Sequence, residues 1–186
     1  MSKKTLPPIH LACSDDKDRP ALQHIEIIDG IATATNGHII ARLNLGVYSK
    51  LNEEIIKQLN GKLIHKDVWE AIQEADIITI DGDNLHMDKG GIKATFDIFT
   101  DVTFPDHQKI IDAVANSRFD KKSFVSFNPK FITIASKLFQ SETLICRFYE
   151  NNDVVVMFPS GDSKGFIGIV PMKLTDEEAT IDFSLT

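Results

Sequence analysis

KLIHKDVWEAIQEADIITIDGDNLHMDKGGIKATFDIF, residues 62–99, decides how the rest of the chain is read. KLIH (62–65) has the make-up of a short strand, and KDVWEAIQEA (66–75) then places Val68, Ala71, Ile72 and Ala75 at helical spacing, on one apolar stripe. Three short strands follow, DIITI, NLHMD and GIKATFDIF, separated by Asp81-Gly82 and by Lys89-Gly90-Gly91. Those separators are residues that accept the tight turns of hairpins. The unit is β-α-β-β-β.

Downstream the same order recurs as SFVSF, NPKFITIASKLF, ETLICRFYE, DVVVMF and GFIGIVPM, with Asn151-Asn152 and SGDSKG as turns. Its helix is well marked. Asn128 is a good N-cap, and Pro129 sits at the first helical position, where a missing N–H costs nothing. Phe131, Ile134, Ala135 and Leu138 form its buried stripe.

Upstream lies a degenerate copy, with LPPIHLA in the place of the first strand, then ALQHIEII, Asp29-Gly30, IATA, Asn36-Gly37 and HIIARL. Its helix is replaced by the polar link CSDDKDRP. Two further helical segments, LNEEIIKQL (51–59) and DHQKIIDAVAN (106–116), connect the copies. The expected fold is α+β, built of repeated β-α-β-β-β units whose antiparallel sheets carry helices on one face. The expected division is a domain over 1–105, a connector over 106–120 and a half-domain over 121–186. Within the first, the degenerate repeat spans 1–45, a connector 46–61 and the second repeat 62–105.

The chain has 186 residues, 42% of them hydrophobic, enough to bury a real core. No apolar run approaches bilayer length, and MSKKTLPPIHL is broken by Pro7, Pro8 and His10, so neither a signal peptide nor a membrane segment is expected. Cys13 and Cys146 lie far apart, outside any CxxC spacing, which points to a reducing cytoplasm with neither disulfide nor zinc. A net charge of −7 argues against coating nucleic acid by charge alone. Arginine occurs only at Arg19, Arg42, Arg118 and Arg147, too sparse for a dense base-reading surface.

The motifs that suggest catalysis are weak. Gly161-Asp162-Ser163-Lys164-Gly165 matches G-x-S-x-G, but a strand follows it where a nucleophile elbow needs a helix, so Ser163 reads as part of a hairpin loop. A serine hydrolase is the remote alternative. DGDNLHMDKGG lacks the ligand pattern of a calcium loop, because Leu85 stands where an oxygen is needed and no Glu closes it. The six histidines show no zinc-helix spacing, and no phosphate-binding glycine loop is present. Neither metal nor cofactor is expected, and no catalytic residue is assigned. Lys130, Thr133 and Lys137 share the polar face of the second helix, a row suited to phosphates, whereas Lys66, Glu70 and Gln73 on the first helix are mixed in charge. An ordinary solvated helix face explains either row equally well.

Three fragments in order carry a resemblance: Ala34-Thr35-Asn36-Gly37-His38-Ile39-Ile40-Ala41, then Phe104-Pro105-Asp106-His107, then Val170-Pro171-Met172-Lys173-Leu174. With the repeated unit between them, they resemble the bacterial β sliding clamp, the processivity subunit of DNA polymerase III, from about Arg19 to Leu174. The likeness covers the family's middle domain joined to the second half of its last domain. It implies a non-enzymatic replication protein that docks short peptides of polymerases or clamp loaders in an apolar pocket. The implied pocket residues are Leu22, Thr35, Gly37, His38, Ile40, Pro105, Ile110, Val170, Pro171 and Met172. It further implies a homo-oligomeric ring around double-stranded DNA, held without sequence preference, with Lys66, Lys130 and Lys137 facing it. Ile39 stands where the family carries Arg, so a charge at the pocket edge is missing. An adaptor or decoy that keeps the pocket without the ring is the alternative.

Overall fold

The computed structural model describes residues 6–109, 112, 127–141, 143–148, 154–160 and 164–172. Ten strands are assigned among them: β1 (His24–Ile28), β2 (Ile31–Thr35), β3 (Ile39–Asn44), β4 (Leu63–His65), β5 (Ile77–Asp81), β6 (Asn84–Lys89), β7 (Ile92–Asp97), β8 (Leu144–Phe148), β9 (Val155–Pro159) and β10 (Gly165–Ile169). They form a seven-stranded sheet in the order β4-β1-β2-β3-β10-β9-β8 and a three-stranded sheet β5-β6-β7. Every pairing is antiparallel. Four α-helices with fully described bounds accompany them: α1 (Leu45–Tyr48), α2 (Glu53–Gln58), α3 (Lys66–Ile72) and α4 (Lys130–Phe139).

The hairpins follow from their turn residues. Asp29 and Gly30 both adopt positive φ, 51° and 73°, as a two-residue loop with the twist of its strands requires. Gly90 and Gly91 do the same between β6 and β7, at 59° and 87°.

The inner face of the large sheet carries Ile25, Ile27, Ala32, Ala34, Ala41 and Leu43, all fully buried. Ala34 pairs directly with Ala41, so the sheet centre is shallow. A 3-10 helix, Ile9–Ala12, fills that shallow place with Leu6, Ile9 and Ala12 at 0–1% exposure. The sequence pattern put LPPIHLA in a strand, and here it is a correction. Pro7 and Pro8 have no N–H to give to a ladder, and the segment instead closes local bonds from Ile9 to the Pro7 carbonyl and from Leu11 to that of Pro8. The link CSDDKDRP then leads into a second 3-10 helix, Pro20–Gln23, whose Leu22 is buried.

On α3 the buried stripe is turned from the expected one. Trp69 and Ile72 are buried and Ala71 is exposed, because the Trp69 indole N–H donates to the Pro7 carbonyl at 2.8 Å. Gln73 is buried as well, its amide 3.5 Å from the Leu6 carbonyl, so the row Lys66, Glu70, Gln73 is not one exposed face.

Helix α4 matches its pattern closely. Ile134, Ala135, Leu138 and Phe139 are buried; the helix starts one residue later than expected, with Pro129 in the N-cap position, and Asn128 Oδ1 accepts the Lys130 N–H at 2.9 Å. Of the expected strand SFVSF only Phe127 is described. Ser163, the turn at Asn151-Asn152 and the chain beyond Met172 also lie outside the described residues.

Candidate functional site

The β2–β3 turn is the local centre of the site. Thr35 Oγ1 donates to the Ile39 carbonyl at 2.7 Å and accepts the Gly37 N–H at 3.1 Å. Asn36 Oδ1 accepts the N–H groups of His38 and Ile39, at 2.9 and 3.1 Å. Gly37, at φ +89°, lets the chain reverse in three residues rather than two. His38 is thereby held outward on the surface, and its carbonyl accepts the Val170 N–H at 2.9 Å. That bond extends the β3–β10 pairing, which runs from Leu43↔Gly165 to Ile39↔Ile169.

Between this turn, the Pro20–Gln23 helix, β10 and the crossing segment Pro105–His107 lies a cavity of about 210 Å³. Seven of the residues implied from sequence line it: Leu22, Thr35, Gly37, His38, Ile40, Pro105 and Val170. Ile110 lies outside the described residues. Pro171 and Met172 are not among the lining residues, and Met172 is 58% exposed just beyond the wall.

The cavity has further lining residues that sequence reasoning missed: Arg19, Ile39, Asp106, His107, Val154 and Gly168. A Cβ on Gly168 would meet Ile40 Cγ2 and Val154 Cγ1 at 3.0 Å, so the glycine allows those two side chains to close in. A glycine inside an apolar strand was the available signal. Arg19 gave none, since it sits in a polar link and reaches the rim only through the fold. Its guanidinium nitrogen lies 3.4 Å from where a Cβ on Gly37 would be. A positive charge therefore stands beside the turn, although Ile39 carries none.

The segment that walls this cavity also walls a polar one of about 230 Å³, where Glu26, Thr33 and Arg42 line the opposite side. His107 Nδ1 lies 3.7 Å from Glu26 Oε2, and its ring meets Phe104 edge-on at 5.7 Å. Burial pushes the Glu26 carboxyl above its ordinary range, and the charges of His107 and Arg42 pull it part of the way back.

Beyond Arg19 and His38, which line both, a groove of about 640 Å³ opens between α3, the first 3-10 helix and α4. Lys66, Lys130 and Lys137, the residues implied to face DNA, all line it. Its charges nevertheless balance. Arg19, Lys66, Lys130 and Lys137 stand against Asp15, Asp16, Asp67 and Glu70, four against four. The Lys66 ammonium is bonded to the Asp15 carboxylate, and the Lys66 side chain is only 17% exposed. That hydrogen bond, with the Lys66 charge, holds the Asp15 carboxyl below its usual range.

Cys13 is buried and its thiol is pushed up to about 12 by desolvation, far from a reactive thiolate. No group of three or more His, Cys, Asp or Glu could hold a metal among the described residues. No helix among them is long and apolar enough to cross a membrane.

The two antiparallel sheets, with α3 and α4 each packed on the first 3-10 helix, superpose on DNA sliding clamps, so the fold is of the sliding-clamp type. The DNA polymerase III β subunit of Borrelia burgdorferi superposes with a TM-score of 0.62 over 90% of this chain and 61% of that one, at 11% identity. The sliding clamp of Bacillus subtilis gives 0.61 over 90% and 61%, at 14% identity. The β subunit of Thermotoga maritima gives 0.60 over 93% and 62%, also at 14%. The chain thus spans about 61% of the length of the clamps it matches. No protein-family model and no curated protein sequence matches it.

Proposed function

We propose that this protein is a non-catalytic docking protein of clamp fold, which binds short linear peptides of replication polymerases or clamp loaders in the cytoplasm. The carrying observation is the apolar cavity, which collects Leu22, Ile40, Pro105 and Val170 from separate parts of the chain and rims them with Arg19 and His38. A few convergent polar groups around an apolar hollow suit an extended peptide that inserts Leu or Phe anchors. Burying one such anchor is worth about 1.5–3 kcal/mol. At about 210 Å³ the cavity has room for an anchor or two, and no more.

Two forms of this reading differ in what the groove does. A homo-oligomeric ring around DNA would use Lys130 and Lys137 on the exposed face of α4. An adaptor without a ring needs only the cavity, and the four-against-four charge balance favours it, since phosphate binding rests on surplus Lys and Arg.

The test is peptide binding by fluorescence anisotropy, using a polymerase-derived clamp-binding peptide with Leu and Phe anchors. Val170 is 48% exposed, so Val170→Asp leaves the fold intact while placing a charge at the mouth. The expected loss of affinity is tenfold or more, about 1.4 kcal/mol. An unchanged Kd, with an unchanged melting curve, overturns the docking reading. Retention on nicked circular DNA separates the two forms, because only a closed ring remains bound in high salt.

A further inference from the structure

Each of the three repeats has a final described strand, and two of those strands meet. β3 and β10 pair antiparallel over five residues, joining the first repeat to the last. β7 ends the middle repeat. It pairs with β6 in unbroken register from Asn84↔Asp97 to Lys89↔Ile92, and its other edge is unpaired among the described residues. That edge, Ile92–Asp97, carries no proline and no bulge, the usual devices against edge pairing. It has one lysine, Lys93. The two most exposed large apolar residues described, Ile92 at 72% and Phe99 at 69%, stand at its two ends.

We propose that β7 is a homodimer seam, where two copies of this chain pair antiparallel about a twofold axis at Thr95 to make one six-stranded sheet. The occupant follows from the side chains. With Thr95 opposite its own copy, Lys93 of each chain faces Asp97 of the other, twice by symmetry, on the outer face. On the inner face the small Ala94 faces the large Phe96, and Ile92 faces Ile98. A shift by one residue sets Lys93 against Phe96 and turns apolar side chains toward polar ones. A twofold centred on Ala94 leaves both charges unmatched. The lysine that would deter an unrelated strand thus finds its partner in a second copy. The geometry repeats that of β3 with β10, the last strand of one repeat against the last strand of another. Such a self-complementary contact closes at two copies, unlike the head-to-tail contact from which a ring is built. No residue of β7 is among those that line the peptide cavity, so the two surfaces can be tested separately.

The test is the solution mass of the full chain by sedimentation, over concentrations from nanomolar to high micromolar. Wild type is expected to dimerise with a dissociation constant in the micromolar range. Lys93→Asp and Asp97→Lys, each placing like charges across the seam, are expected to weaken the dimer by at least about tenfold. The double variant Lys93→Asp/Asp97→Lys is expected to restore it. Both residues are exposed, and a melting curve of each variant checks that it is folded. A wild-type monomer at every concentration overturns the proposal, as does a dimer indifferent to the single changes or one that the double change fails to rescue. Peptide affinity on the same samples stays constant, so failure of the seam is told apart from failure of the docking reading.

Discussion

The two cavities that meet at Arg19 and His38 are built on opposite principles. The smaller is walled by segments distant in sequence and held by backbone pairing, with the Val170 N–H on the His38 carbonyl. The larger lies between helices, with as many cations as anions along its lining, and Lys66 is paired with Asp15. An apolar hollow whose walls are fixed by a sheet keeps its shape without a ligand. A groove with no surplus of cations gives little to a further anion. The difference teaches that, on the docking reading proposed above, the two cavities can be tested apart, one by peptide affinity and the other by DNA affinity.

The largest break in that comparison comes from Trp69. It is fully buried, and its bond to the Pro7 carbonyl ties α3 to the segment that leads into the first 3-10 helix, the groove's opposite wall. Trp69→Ala is expected to cost about 3–5 kcal/mol in chemical denaturation. Peptide affinity of the molecules that stay folded is expected to hold within about twofold. A fall in affinity that tracks the lost stability shows the two cavities to be one cooperative unit.

The walls of the small cavity sharpen the comparison next. Val170 lines the cavity, while Met172 lies just outside it and is 58% exposed. Val170→Asp is the strong variant, and Met172→Ala is expected to change peptide affinity by less than about twofold. Should Met172→Ala equal Val170→Asp, the peptide runs past the turn and over the chain beyond it.

For the groove, the change to make is in the acidic link. Asp15→Asn with Asp16→Asn removes two of its four negative charges and frees Lys66. Non-specific affinity for duplex DNA is expected to rise several-fold in low salt, with a steeper salt dependence. An unaltered DNA affinity shows that α3 and α4 do not face nucleic acid even when their charge allows it.

Much of this fold is legible in the sequence where the pattern is local. Asp29-Gly30 and Gly90-Gly91 name their turns, and α4 shows its start to within a residue and most of its stripe. What could not be read depends on contacts across the chain. The stripe on α3 turns toward Trp69 because Pro7, sixty-two residues away, offers a carbonyl. LPPIHLA looks apolar enough for a strand, yet two prolines and a shallow alanine surface make it a plug. The site divides the same way. The turn around His38 is legible locally, but its place in a pocket, like that of Leu22, Pro105 and Val170, came from the family resemblance, whereas Arg19 and Val154 enter the cavity only through β-strand pairing and the course of a polar link.

The smallest effect concerns the start of α3, on the groove side. His65 Nδ1 accepts the Asp67 N–H at 3.3 Å, a cap that needs a neutral ring, while the Asp67 carboxylate lies 3.6 Å from the same nitrogen. Burial pushes the His65 pKa below its ordinary 6.5. Asp67 pulls it back, and His24 and Lys66 add to the lowering. A depressed imidazole favours the neutral form in the folded state, so its contribution is complete above pH 6.5 and is lost as pH falls through the folded value. Protonation removes the cap and gives Asp67 an ion pair instead, which offsets part of the loss. The expected net change between pH of about 8 and about 5.5 is below about 1 kcal/mol, seen as faster amide exchange at Asp67 and Val68. His65→Asn keeps a capping oxygen that does not titrate, so its first helical turn is expected to hold its protection across the same range. Equal pH dependence in both proteins would show that the ring does not cap α3, and that the groove wall begins elsewhere.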